Sequence, residues 1–126
     1  MTEHQRKLLR DGIALFNRGE FFDCHEVLEE LWLESTGEPK KFFQGLIQVA
    51  VALYHLRNRN RFGAARLLAA GMEKLAEYGP EEELLDVDAL LAALTPLRNQ
   101  IRAEESPENW IAPQIRWKAF PGESAE

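Results

Sequence analysis

Leu8, Leu9, Ile13 and Phe16 recur at helical spacing behind Thr2 and Gln5, and the stripe stops at Gly19. Apolar residues so spaced line one side of a helix, Thr2 with Gln5 forms a capping box, and glycine accepts the left-handed conformation that ends a helix. Asp23 and Glu26 repeat the capping-box spacing, with Phe22 placed to staple to Val27, so a second helix is expected from there to about Ser35. Gly37 and Pro39 then stand in the order that ends one helix and starts the next. A third helix, about 40–58, carries Phe42, Phe43, Leu46, Ile47, Val49, Val51, Leu53, Tyr54 and Leu56 around most of its circumference, which predicts a buried central element. A fourth, about 61–78, sets Ala65, Leu68, Met72, Leu75 and Ala76 on one side and ends at Gly79 and Pro80. Asp86 and Thr95-Pro96 have the character of caps for two shorter helices, about 87–94 and 96–104, or for one helix kinked at the proline. No β-type alternation of useful length is present. The expected fold is all-α: a compact bundle of five to six helices over residues 1–105, built from helical hairpins around a buried central helix. Residues 106–126 hold Pro107, Pro113, Pro121 and Gly122 with Trp110, Trp117 and Phe120 out of helical period, and read as an irregular aromatic C-terminal arm packed on the bundle.

A weak repeat supports the hairpin reading. Leu15, Asn17, Arg18 and Phe21 recur as Leu56, Asn58, Arg59 and Phe62 at an offset of 41, and Gly19 is answered by Asn60. Both Gly and Asn tolerate positive φ, so each unit reads as a helix, a left-handed stop, an aromatic anchor and a returning helix. Two copies are fewer than the ~3 that a solenoid requires, which favours a closed bundle.

Composition narrows the setting. At 126 residues and 45% hydrophobic content the chain fits one domain. Its single Cys24 cannot close an internal disulfide. The longest apolar stretch, Leu46 to Leu56, includes Gln48 and His55 and falls short of the ~20 residues of a membrane span. Met1 to Lys7 is polar, so no leader-like start is apparent, and a cytoplasmic protein is expected. With 15 Lys and Arg against 21 Asp and Glu, a net charge of −6 disfavours nucleic acid and anionic membranes as partners. The charge is also segregated. Gly19 to Glu38 holds seven acids and no base, and Pro39 to Met72 holds six bases and no acid. Pairing of these blocks across neighbouring helices is the expectation. Arg57, Arg59, Arg61 and Arg66 alternatively offer an anion site at a helix start.

The run Phe16-Asn17-Arg18-Gly19-Glu20-Phe21-Phe22-Asp23-Cys24-His25-Glu26-Val27-Leu28-Glu29-Glu30-Leu31-Trp32, followed by Phe43-Gln44-Gly45-Leu46-Ile47-Gln48 and by Asn60 with Gly63-Ala64, closely resembles the domain of unknown function 309 (DUF309) family. The similarity covers roughly Asp11 to Leu94. The resemblance implies a compact all-α bundle around a central buried helix and implies no activity. Cys24 departs from the small residue expected there.

Chemistry is expected where the second and third helices meet. At ~100° per residue His25 and Glu29 project within ~40° of each other, with Trp32 beside them, while Gln44, Gln48 and His55 share one stripe of the third helix. Polar groups on a buried helix need partners, because an unpaired one costs ~1–3 kcal/mol. The inference is a semi-buried polar cluster of His25, Glu26, Glu29, Trp32, Gln44, Gln48 and His55 in a non-enzymatic binding or scaffold protein, which needs no cofactor and acts through self-association or a protein partner. The alternative is a divalent-metal-binding protein or metal-dependent hydrolase with His25, Glu29 and His55 as ligands. The string His25-Glu26-x-x-Glu29 lacks the second histidine of the H-E-x-x-H motif. Cys24 reads as a core filler, although a helix start favours a thiolate.

Overall fold

The computed structural model describes residues 1–78, 84–104 and 110–118. The expectations placed on Gly79, Pro80, Pro107, Phe120, Pro121 and Gly122, and the boundary at residue 105, lie outside the described residues. Five helices make up the described fold: α1 (Glu3–Asn17), α2 (Phe21–Leu33), α3 (Gly37–Arg57), α4 (Arg61–Ala76) and α5 (Val87–Arg102). Each packs chiefly on the next in the chain. The fold is all-α, and β structure among the described residues is limited to an isolated bridge between Leu85 and Trp117.

The core follows the apolar stripes. Leu9, Ile13 and Phe16 of α1, Phe21, Leu28 and Leu31 of α2, Phe42, Phe43 and Leu53 of α3, and Leu68 and Leu75 of α4 are fully buried. Burying each such side chain is worth ~1.5–3 kcal/mol. α3 packs on both α2 and α4 but is not buried all round. Gln44, Ile47, Gln48, Val51, Tyr54 and His55 form a half-covered stripe along it. The α3–α4 crossing is close because Gly71 lies against Gly45: a Cβ on Gly71 would stand 2.9 Å from the Gly45 carbonyl.

Helix termini explain the hairpins. Thr2 and Gln5 form both bonds of the expected capping box. After α1 the Glu20 amide donates to Leu15 O at 2.9 Å and the Gly19 amide to Phe16 O at 2.9 Å, the bond pair of a Schellman stop, with Gly19 at φ 78°. After α3 the Asn60 amide donates to His55 O at 2.8 Å and the Arg59 amide to Leu56 O at 3.1 Å, with Arg59 at φ 63°. The same stop is therefore used twice, but Arg59, not Asn60, answers Gly19. The structural offset is 40, because backbone geometry sets the register while the side-chain identities recur at 41. Asn60 instead caps α4, accepting from the Gly63 amide at 3.0 Å.

The capping box expected at Asp23 does not form. The Schellman turn returns the chain to helix at once, so α2 begins at Phe21 with Glu20 as N-cap and no side-chain cap bond. Asp23 and Glu26 are left exposed, and Phe22, already helical, is 47% exposed and not a staple. Asp86 caps α5 as expected, accepting from the Ala89 amide, and Thr95-Pro96 lies inside that one helix. The described part of the arm, 110–118, packs on the bundle through Ile115, Trp110 and Trp117. The Asn17 side chain holds it in register, donating to Ile115 O at 2.9 Å and accepting from the Ile115 amide at 2.7 Å.

Candidate functional site

The half-covered stripe of α3 meets α2 in a cavity of about 240 Å³ lined by Phe21, Phe22, His25, Val51, Tyr54 and His55. His25 and His55 thus both line it. Around them the rings form a continuous set: Phe22 meets His25 edge-on at 5.1 Å and Tyr54 at 5.4 Å, and Tyr54 meets His55 at 6.0 Å.

Hydrogen bonds fix what each imidazole offers. Nδ1 of His25 lies 2.9 Å from the Phe22 carbonyl, which only accepts, so Nδ1 carries the proton and Nε2 of the neutral ring keeps a lone pair. The Asn60 amide oxygen accepts from the Gly63 amide, so its NH₂ group faces His55 Nδ1 at 3.3 Å and donates. The His55 proton therefore sits on Nε2. Each ring spends Nδ1 on its own hairpin; in the neutral rings Nε2 is an acceptor on His25, 3.8 Å from the Glu29 carboxylate, and a donor on His55.

The other expected members are dispersed along the same seam. Glu29 Oε2 stands 3.8 Å from His25 Nε2, beyond hydrogen-bond length. Gln48 Oε1 is buried with no hydrogen-bond partner, and Gln44 is half-buried. Trp32 lies under the Lys40 ammonium, 4.2 Å from the ring centroid, and Glu26 is exposed. The seam is an aromatic cavity with polar residues beside it, in place of one closed hydrogen-bonded cluster, because His25 turns back to its own helix and His55 to Asn60. The sequence reading missed Phe21, Phe22, Val51, Tyr54 and Asn60. Their signal was spacing: Phe22 is one turn before His25, and Val51 one turn before His55.

The proposed ligand trio of His25, Glu29 and His55 does not gather its ligand atoms within 4.8 Å of one another. Among the described residues the set that does is His4, Glu30 and Glu34, all exposed. His4 Nε2 is 3.1 Å from Glu34 Oε2, and Gln5 Nε2 donates to Glu34 O at 3.1 Å, so this group pins the start of α1 to the end of α2. Cys24 is the expected core filler, and burial pushes its thiol up to about 12.

Charge pairing between the acidic and basic blocks is also corrected. Among the described residues the acids of α2 and its two caps pair with Arg18 and His4, and Glu29 stands 3.8 Å from His25. Lys41 pairs with Glu77 at 2.7 Å, while Arg57 and Arg61 donate to the carbonyls of Gly19 and Ile101. Two members of the possible anion site are thereby committed elsewhere. Arg57 also lies 4.7 Å from the Phe21 ring centroid, on whose other neighbour Trp110 it sits at 5.8 Å.

The family model described as "Domain of unknown function (DUF309)" matches residues 9–67. A relative in Bacillus subtilis (strain 168), "Uncharacterized protein YpuF", is 40% identical over 97 residues, covering 75% of this chain and 56% of the relative. An "Uncharacterized protein" of Aquifex aeolicus (strain VF5) is 33% identical over 73 residues, 57% of this chain and 22% of that protein. The chain thus spans about half the length of the first and about a fifth of the second. The match to the DUF309 family model, over residues 9–67, contains all six residues that line the cavity.

Proposed function

We propose that the protein is a binding module and not a catalyst, with the α2–α3 cavity as its recognition site for a protein partner. The observation that carries this reading is the pair of imidazoles, His25 and His55, that line an otherwise apolar, solvent-open cavity with Phe21, Phe22, Val51 and Tyr54. Ligand sites combine apolar walls with a few placed polar groups in this way. Its volume, about 240 Å³, is below the ~300–1,000 Å³ of sites for drug-sized molecules, which favours one inserted side chain over a whole cofactor. Phe22 at 47% exposure supplies apolar contact for the partner. The lone, buried Cys24 and the net charge of −6 support a reducing, cytoplasmic setting and a partner other than nucleic acid or membrane. No helix among the described residues is long and apolar enough to cross a membrane.

The test uses the three histidines as reporters. Phenol, benzylammonium and benzoate are titrated while the ring ¹H–¹³C resonances are followed by NMR. At least one probe is expected to shift His25 and His55 together along a saturating curve and leave the exposed His4 unmoved. If no probe shifts the pair, or His4 responds in parallel, the cavity is not a recognition site.

A further inference from the structure

Resting on that reading, we infer that the occupant of the cavity is a lysine or arginine side chain presented by a basic peptide segment of a partner protein. Three of the six lining residues, Phe21, Phe22 and Tyr54, carry phenyl or phenol rings. Ring faces attract cations, most strongly where water is partly excluded. The fold already uses this chemistry nearby, with Arg57 over Phe21 and Lys40 over Trp32.

Charge points the same way. Asp23 and Glu26 are exposed on α2, each one to four residues from the cavity residues Phe22 and His25, and neither has a cationic partner among the described residues. Glu29 has only His25, at 3.8 Å. Lys41 pairs with Glu77, and Arg57 and Arg61 donate to the carbonyls of Gly19 and Ile101, so these three bases are not bonded to the acids of α2. An acidic side chain meeting His25 would stand close to the Glu29 carboxylate.

Hydrogen-bond demand discriminates further. Nε2 of the neutral His25 ring presents a lone pair. An apolar side chain would bury this acceptor dry, whereas an ammonium or guanidinium brings N–H donors and no acceptor. The donor at His55 Nε2 suits a backbone carbonyl, which a peptide has and a free ammonium ion lacks. The site thus asks for a cation on a peptide.

Three labelled peptides test this by fluorescence anisotropy: alternating lysine and alanine, and the same with glutamate or with leucine in place of lysine. The lysine peptide is expected to bind and to shift His25 and His55, and the glutamate peptide not to bind. Phe22→Ala and Tyr54→Ala, each checked for folding by circular dichroism, should each weaken binding about tenfold. Glu26→Gln with Glu29→Gln should weaken it about fivefold, and Glu73→Gln with Asp88→Asn, an equal charge change on α4 and α5, less than about twofold. Equal losses from the two charge pairs would overturn the inference by showing diffuse attraction only. A leucine peptide that binds as tightly and shifts both histidines would overturn the cation class and leave the binding module standing. If no peptide moves the histidine pair and the small probes also fail, both readings fall.

Discussion

Cys24 sits against α1 with its side chain sealed from water, and burial raises its thiol from an ordinary 9.0 to about 12. A buried neutral thiol is a poor nucleophile. The unfolded chain ionises Cys24 near 9.0 and the folded chain holds the proton to about 12, so above 9.0 the unfolded state binds fewer protons. Stability should therefore fall as pH rises from 9 toward 12, and the Cys24→Ala variant should lose less across that window in urea melts. Equal pH dependence of the two proteins would contradict the burial. Asp23 and Glu26 provide a second residue-scale test. As capping groups their removal would cost ~1 kcal/mol, but in the observed fold neither caps α2, so Asp23→Asn and Glu26→Gln should each change stability by less than ~0.5 kcal/mol. Thr2→Ala, which breaks a cap that does form, should cost ~1 kcal/mol by the same measurement. The two boxes read alike as sequence. They differ because the Schellman turn at Gly19 restarts the helix before Asp23 can serve, a backbone event that side-chain spacing does not record.

Among elements, helices were the most legible. The three- and four-residue spacing located α1 to α4 closely, and Asp86 marked the start of α5. What spacing could not show was which side of α3 stays half-covered, since its apolar residues run around most of the helix and packing on α2 and α4 chooses the face. The stripe of Gln44, Gln48 and His55 was nevertheless readable as polar positions on an apolar helix, and of its members His55 lines the cavity. The site chemistry was half legible: the angle between His25 and Glu29 was right, but the ring nitrogens went to local partners that only the fold supplies. Docking of the arm is equally non-local, set by Asn17 meeting Ile115 across 98 positions. Asn17→Ala removes both side-chain bonds, at ~1 kcal/mol apiece, and leaves the Ile115 amide short of its partner. Hydrogen exchange at Ile115 should then speed up more than exchange in the centre of α3. Unchanged protection would mean that the apolar contacts alone hold the arm.

Over the whole molecule the sum of charges was informative and its expected internal pairing was not. Exposed ion pairs are worth ~0–1 kcal/mol, and the pairs that form are mostly local ones such as Arg18 with Glu20 and Lys7 with Asp11. The acids of α2 face one another and solvent more than they face bases. Screening should relieve that repulsion, so the melting temperature is expected to hold or rise as NaCl increases, whereas a fall would restore the pairing of acidic and basic blocks. Cavity, charge and hydrogen-bond supply all converge on the two imidazoles, whose opposite tautomers define what the cavity can recognise. Long-range ¹H–¹⁵N correlation of the histidine rings at neutral pH measures those tautomers directly. The structure requires the proton on Nδ1 of His25 and on Nε2 of His55; His55 protonated at Nδ1, or His25 at Nε2, would contradict it.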